Sequence, residues 1–152
     1  MSESRKVHSF LSLGSNMGNR RAHMAHADYL LSHNPRMEVL RRSSILDNPP
    51  LLVEEQPSFL NQIVEIQTDL EPLELLDTLK EYEKEIGRIK RIRYGPREID
   101  LDILSYDGLR MNNSKLTLPH PGLRDREYLR ILLAEFELQP EDLLNQATRR
   151  ES

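Results

Sequence analysis

Two aspartates, Asp100 and Asp102, lie two residues apart in an otherwise apolar stretch of the sequence. In an extended strand, side chains alternate between faces, so both carboxylates share one face and the apolar residues beside them point to the other. Adjacent carboxylates repel each other unless a cation lies between them. Magnesium prefers oxygen ligands and keeps positions for water and phosphate. The pair therefore predicts a magnesium site that takes a nucleoside triphosphate, although a polar solvent-facing strand would show the same D-x-D pattern.

Basic residues crowd into the segment just before the aspartates: Arg88, Lys90, Arg91, Arg93 and Arg97. Arginine can donate paired hydrogen bonds to phosphate oxygens, and Gly95-Pro96 predicts a turn within the run. A charge run by itself is often only a solvated surface patch. Because this run precedes the acidic strand directly, it predicts a clamp on the same triphosphate.

Three further places could contribute to chemistry. His120 lies between Pro119 and Pro121, a rigid setting that positions an imidazole without defining its role. Asn61 follows Phe59 by two residues, and an amide beside an aromatic ring could recognise a planar heterocycle, although an ordinary buried asparagine fits equally well. Residues 14–18 lack the lysine and spacing of a phosphate-binding loop, so they predict a strand-to-helix turn.

The elements that would position these residues follow from hydrophobic periodicity. We expect strands over residues 7–13, 37–45, 59–66 and 99–106, and helices over residues 20–33, 72–86 and 126–138. Asn19 could cap the first helix, and the second should bury Leu73, Leu76, Leu79, Tyr82 and Ile86. Residues 46–58 predict a long loop, and residues 115–118 a short extended piece.

The order βαββαβ predicts an α+β fold, a ferredoxin-like sandwich with a mainly antiparallel sheet, helices mainly on one face and additional C-terminal strand and helix elements. At 152 residues the chain predicts a single domain over residues 1–152, with a core over about residues 7–140.

Composition narrows the classes of function. The chain has no cysteine, which excludes disulfides, thiolate metal sites and cysteine nucleophiles. Its net charge of −4 disfavours a general nucleic-acid partner. The apolar run at residues 10–13 is too short for a signal sequence or a membrane span. We expect a cytoplasmic, single-domain monomer that acts on small molecules, with no membrane and no nucleic-acid partner.

Several motifs together resemble the 6-hydroxymethyl-7,8-dihydropterin pyrophosphokinase family. They are L-G-S-N at residues 13–16, P-P-L at 49–51, Q-P-x-F-L-N at 56–61, G-R-I-K at 87–90, R-Y-G-P-R-E-I-D-L-D-I at 93–103 and L-P-H-P at 118–121. The resemblance runs over about residues 7–140. It implies a ferredoxin-like enzyme of folate biosynthesis that transfers the β,γ-diphosphate of ATP to the hydroxymethyl group of the dihydropterin and releases AMP.

The resemblance also implies roles for individual residues. Two magnesium ions would bind Asp100 and Asp102, which with Arg88 and Arg97 would be the catalytic residues. The pterin would be bound by Asn48, Pro49, Leu51, Phe59, Asn61 and Tyr128, with its ring between Phe59 and Tyr128. ATP would be bound by Arg88, Lys90, Tyr94, Arg97, Ile103, Lys115, Leu116, Thr117, His120 and Arg126, with the adenine near Ile103 and residues 115–117.

One departure and two alternatives accompany the resemblance. Family members often have an aromatic or basic residue and a threonine before the double proline, where this chain has Leu46-Asp47-Asn48; Asp47 near a phosphate could slow turnover or alter loop closure. One alternative is another D-x-D metal enzyme on the same fold, which would release pyrophosphate instead of AMP. The other is an RNA-binding sheet, which the acidic net charge and the lack of paired exposed aromatics disfavour.

Overall fold

The computed structural model of the chain describes residues 5–48, 58–87 and 98–146. Within them the strands are β1 (Val7–Ser15), β2 (Met37–Arg42), β3 (Leu46–Asn48), β4 (Phe59–Thr68), β5 (Asp100–Tyr106), β6 (Met111–Asn112) and β7 (Thr117–Leu118). The α-helices are α1 (Arg20–Ser32), α2 (Pro72–Ile86), α3 (Glu127–Leu133) and α4 (Pro140–Gln146). In these three ranges no helix is both long and apolar enough to cross a membrane.

A five-stranded antiparallel sheet forms the centre of the molecule. Its strand order is β2-β4-β1-β5, and the short β3 also pairs with β4. The structure therefore confirms a mixed α/β fold built on an antiparallel sheet. Strand β4 pairs with three other strands, whereas β5, which carries the aspartates, pairs among the described residues of this sheet with β1 alone.

Two elements differ from the prediction. The strand expected over residues 37–45 is interrupted, and the first three residues of the loop expected over 46–58 form a strand. Strand β2 ends at Arg42, and Leu46–Asn48 forms β3 instead of loop. Ser43 explains the break, because its side-chain Oγ accepts a hydrogen bond from the Ile63 backbone N–H at 2.9 Å. A side-chain acceptor thus takes the place of a backbone carbonyl in the ladder.

The first hydrophobic core lies between one face of the sheet and the helices α1 and α2. Asn19 caps α1 as expected, its Oδ1 accepting from the Ala22 N–H at 3.1 Å. In α2 the buried stripe differs from the prediction, because Leu75 is fully buried while Leu73 is 37% exposed. Both leucines are apolar, so only the rotation of the helix against the sheet decides which one is covered.

A second core covers the opposite face of the sheet, so helices lie on both faces, with the two longer ones, α1 and α2, on the first face. Phe10, Ile63 and Leu104 of the sheet pack there against α3, α4 and the 3-10 turn Ala134–Phe136. The predicted helix over residues 126–138 is shorter than expected: α3 ends at Leu133 and continues as a 3-10 turn, which the left-handed conformation of Glu137 (φ 61°) ends.

The chain after β5 crosses the free edge of the sheet. Leu116 and Leu118, in and beside the short β6–β7 hairpin, belong to the first core, whereas Leu123 belongs to the second. Between them the His120 N–H donates to the Leu104 carbonyl at 2.9 Å. Of the extended piece expected over residues 115–118, only Thr117–Leu118 forms a strand. This crossing brings His120 to the face of the sheet that carries the aspartates.

Candidate active site

Several of the polar residues predicted for the site lie at one end of the sheet face that packs against the second core. Asp100 pairs with Gly14, and Gly14 pairs on its other side with Asn61. Directly paired residues of antiparallel strands project to the same face, and Asp102 and Phe59 lie two residues from Asp100 and Asn61. Since neighbouring strands are about 4.8 Å apart, the two groups lie on strands separated by about 10 Å. The aspartates and the Phe59–Asn61 pair therefore share one surface.

Gly14 leaves space in the middle of this surface for the side chain of Asn61. A Cβ at this position would lie 3.1 Å from Asn61 Oδ1, so the amide of Asn61 occupies the space above the β1 backbone. Asn61 is 5% exposed, whereas Phe59 is 40% exposed and presents an aromatic ring to solvent. The sequence predicts Gly14 only as part of a turn, although a glycine within a strand is itself a sign of close approach by another group.

The aspartate pair fits a magnesium ion. Both side chains are half-buried on the site face, while Leu101 between them is fully buried in the first core. Throughout the described ranges, no group of three or more His, Cys, Asp or Glu side chains could hold a metal by itself. Two carboxylates with the remaining positions left to water and phosphate match the way magnesium binds at phosphoryl-transfer sites.

Glu83 of α2 forms a hydrogen bond with β5 at Leu101, the residue between the two aspartates. Its Oε2 accepts a hydrogen bond from the Leu101 backbone N–H at 2.7 Å on the free edge of β5. Burial raises the pKa of Glu83, and the Asp100 charge raises it further, against the lowering effects of the Leu101 N–H and of Lys80. Glu83 is not among the predicted site residues, because nothing in the sequence distinguishes it from the other acidic residues of the helix.

His120 is half-buried beside the aspartates. Its Nδ1 accepts a hydrogen bond from the Gly122 N–H at 2.9 Å, which assigns the proton of the neutral ring to Nε2. Burial lowers the pKa of His120, and the Arg126 charge lowers it further, while the charges of Asp102 and Asp100 raise it. The balance favours a neutral imidazole that can donate a hydrogen bond from Nε2.

Arg126 and Tyr128 complete the described part of the site. Arg126 Nη1 donates to the Tyr128 hydroxyl at 3.3 Å. Burial lowers the pKa of Arg126, but Tyr128 and Asp102 outweigh it and raise the pKa overall, so the guanidinium is charged. Gly122 makes room for it, because a Cβ there would lie 2.7 Å from Arg126 Nε. Gly122 is a second glycine whose role sequence analysis missed.

The residues expected near adenine lie on the other side of β5. The side chains of Ile103 and Leu116 are buried in the first core, so only their backbone could reach a ligand. The N–H groups of Lys115 and Leu116 already donate to Asn113 Oδ1, at 2.8 and 2.9 Å. Thr117 is exposed on β7.

The structure brings some of the expected pterin residues together. Asn48 pairs directly with Phe59, and Asn61 follows on the same strand. Tyr128 lies in the first turn of α3 and packs against the second core. The remaining expected residues lie outside the described ranges and stay predictions: Pro49, Leu51, Arg88, Lys90, Tyr94 and Arg97.

The fold and the site together define a small α/β transferase domain, with paired carboxylates, a histidine, an arginine and an amide at one end of an antiparallel sheet. The chain belongs to the 7,8-dihydro-6-hydroxymethylpterin-pyrophosphokinase (HPPK) family, whose model matches residues 10–151.

Similar proteins support this assignment. The chain is 39% identical over 132 residues to a 2-amino-4-hydroxy-6-hydroxymethyldihydropteridine pyrophosphokinase of Bacillus subtilis, covering 87% of this chain and 79% of that protein. It is 37% identical over 143 residues to a protein of the same name from Methylorubrum extorquens, covering 94% of this chain and 89% of that protein. Among solved structures, a Plasmodium falciparum HPPK-DHPS triple mutant matches with a TM-score of 0.66 at 13% identity, over 96% of this chain and 44% of that longer one.

Proposed function

We infer that this chain is an ATP-dependent diphosphotransferase of folate biosynthesis, which transfers the β,γ-diphosphate of ATP to the hydroxymethyl group of 6-hydroxymethyl-7,8-dihydropterin and releases AMP. Membership of the pyrophosphokinase family carries this conclusion. The site supports it from the chemistry of its residues, because acidic, basic and amide groups converge on one sheet face. The two alternatives, a pyrophosphate-releasing D-x-D enzyme and an RNA-binding sheet, have no comparable support.

The fold is proposed to be ferredoxin-like at the level of its topology. Leaving out the short β3, the order β1-α1-β2-β4-α2-β5 with the sheet order β2-β4-β1-β5 is the antiparallel arrangement in which each helix crosses over one intervening strand. The second helical layer, α3 and α4, would then be an addition to that fold.

The acidic end of the site is proposed to bind the triphosphate through magnesium. Asp100 and Asp102 would hold the metal, with two ions expected from the family resemblance. Bound there, magnesium would neutralise phosphate charge and lower the pKa of the attacking hydroxyl. Arg126 and the neutral His120 would donate hydrogen bonds to phosphate oxygens, and we propose that Arg88, Lys90 and Arg97 do the same from outside the described ranges.

The other end of the surface is proposed to bind the pterin. The Asn61 amide offers both a donor and an acceptor, which match the amide-like edge of a pterin ring. The exposed ring of Phe59 offers a face for stacking, with Tyr128 as the proposed opposite wall. Gly14 separates the two ends, so a pterin lying over the Asn61 side would direct its substituent toward the aspartates.

The proposed reaction is an in-line displacement at the β-phosphorus. The hydroxymethyl oxygen forms a bond to this phosphorus, the bond from the phosphorus to the α,β-bridging oxygen breaks, and AMP leaves with that oxygen. The hydroxyl proton passes to solvent, so the products are AMP and the pterin diphosphate ester. Positioning and neutralisation of charge would supply most of the acceleration, and no protein nucleophile is required.

The decisive experiment is a product assay. The purified chain is incubated with ATP, magnesium and 6-hydroxymethyl-7,8-dihydropterin, and the nucleotide products are separated by anion exchange. We expect AMP in a 1:1 ratio to pterin diphosphate, with no AMP when the pterin is omitted. Release of pyrophosphate would indicate nucleotidyl transfer instead, and release of ADP would indicate transfer of a single phosphoryl group. The oligomeric state, proposed to be monomeric, can be measured on the same sample by sedimentation.

A further inference from the structure

Three polar side chains join the start of α1 to strands β3 and β4. Arg20 Nη1 donates to the Ser58 carbonyl oxygen at 2.7 Å and to Ser58 Oγ at 2.8 Å. Ser58 Oγ in turn donates a hydrogen bond to Asp47 Oδ1. Arg20 and Asp47 also form an ion pair at 4.0 Å. We call Arg20, Asp47 and Ser58 the strand tie.

The strand tie lies behind the candidate site, on the opposite face of the sheet. Asp47 pairs directly with Leu60, whose side chain is buried in the first core beneath α1 and α2. Its neighbour Asn48 pairs with Phe59, which projects to the site face. Because side chains alternate along a strand, the strand tie cannot share the surface that we assign to the substrate. Asp47 therefore lies away from the aspartate pair.

The position of the strand tie matters because β3 is short. Its three residues pair with Leu60 and the two residues beside it, and a strand of three residues has few backbone hydrogen bonds to hold its register. A slip of one residue would turn Asn48 away from the site face. The strand tie fixes Asp47 against Ser58, so it opposes that slip.

We propose that Arg20, Asp47 and Ser58 are positioning residues for the pterin. They hold the β3–β4 register from behind, so that Asn48 and Phe59 present the correct surface to the planar ring, while the triphosphate end of the site is independent of them. This inference rests on the proposed function, since it assigns the pterin to that surface.

The test compares Arg20→Ala and Ser58→Ala with the wild-type chain in steady-state kinetics. One or two lost hydrogen bonds predict a rise of about three- to tenfold in KM for the dihydropterin. The kcat and the KM for ATP should stay unchanged, because the aspartates do not depend on β3. Ser58→Thr keeps a hydroxyl and should restore the wild-type KM. Arg21→Ala is the matched control, because Arg21 is the exposed next residue of α1.

Two readouts that do not depend on turnover keep the test decisive. Pterin binding is titrated by fluorescence without ATP, and amide hydrogen exchange is followed in residues 46–48. We expect weaker pterin binding and faster exchange in both alanine variants. An unchanged pterin KM and unchanged binding in both variants would overturn the inference, as would equal increases in KM for both substrates. If wild-type enzyme forms no AMP, the proposed function itself is wrong, and the pterin role of the strand tie falls with it.

Discussion

At the scale of single residues, the site combines two like charges, which repel each other, with a guanidinium close by. Asp100 and Asp102 lie together on one strand, and both His120 and the charged Arg126 lie close enough to interact electrostatically with Asp102. Two glycines make this convergence possible, since Gly14 leaves room for the Asn61 amide and Gly122 for the Arg126 side chain. Position and space, as much as residue type, decide what the site can bind.

Replacing Asp102 by alanine should remove turnover without removing pterin binding. A metal ligand contributes several kcal/mol to the transition state, and each 1.36 kcal/mol corresponds to a factor of ten, so kcat should fall at least about a hundredfold. Kinetics with saturating magnesium and pterin titration without ATP measure the two effects separately. Asp77→Ala, on the exposed side of α2, is the control and should behave as wild type; full activity of Asp102→Ala would contradict the metal assignment.

At the scale of elements, β4 organises the sheet, and one buried carboxylate links its neighbours. Glu65 on β4 accepts from Arg41 on β2 at 2.7 Å and lies 3.0 Å from His8 Nδ1 on β1. Burial by itself raises the pKa of Glu65, but the hydrogen bonds from His8 and Arg41 outweigh it and lower the pKa overall. The three strands are therefore joined by side chains as well as by backbone.

The lowered pKa of Glu65 predicts an acid-dependent part of the stability. Because the folded state favours the ionised form, this contribution is present above the ordinary glutamate pKa of 4.5 and is lost as pH falls through the lower folded pKa. Glu65→Gln should cost about 1–2 kcal/mol at pH 7, and the difference should shrink at acid pH. Urea denaturation from pH 7 to pH 3 measures it, with the exposed Glu38→Gln as control. A constant difference across this range would rule out the ionised Glu65 as the cause.

At the scale of the whole molecule, two helical layers share one sheet. Phe10, Ile63 and Leu104 face the second core from the same strands that bury Leu11, Val64 and Ile103 in the first. Neither layer can separate without exposing one face of the sheet. The layer of α3 also carries Arg126 and Tyr128 at its start, so the second core supports the site directly.

This arrangement predicts a single unfolding transition. Leu79→Ala in the first core and Leu132→Ala in the second should each reduce the free energy of unfolding by about 2–5 kcal/mol, because both leucines are fully enclosed. Circular dichroism and pterin fluorescence, followed in the same urea titration, should give the same midpoint for each variant. Separate midpoints in Leu132→Ala would mean that α3 and α4 unfold independently of the sheet.

The sequence by itself determined the elements and the chemistry that local pattern encodes. The D-x-D strand, the Asn19 cap and the start of α2 at Pro72 depend on residues close together in the chain, and the structure agrees with each. The family motifs also indicated the activity, and the family match confirms the assignment.

Tertiary structure alone decided how these parts meet. The burial of Leu75 instead of Leu73 and the division of one predicted strand at Ser43 depend on contacts with distant residues, which no local pattern contains. Contacts between distant residues also produce the second helical layer, the hydrogen bond from the Leu101 N–H to Glu83, and the space above Gly14. Each depends on the packing of elements far apart in the sequence, and that packing places the aspartate pair at one end of the proposed two-part site.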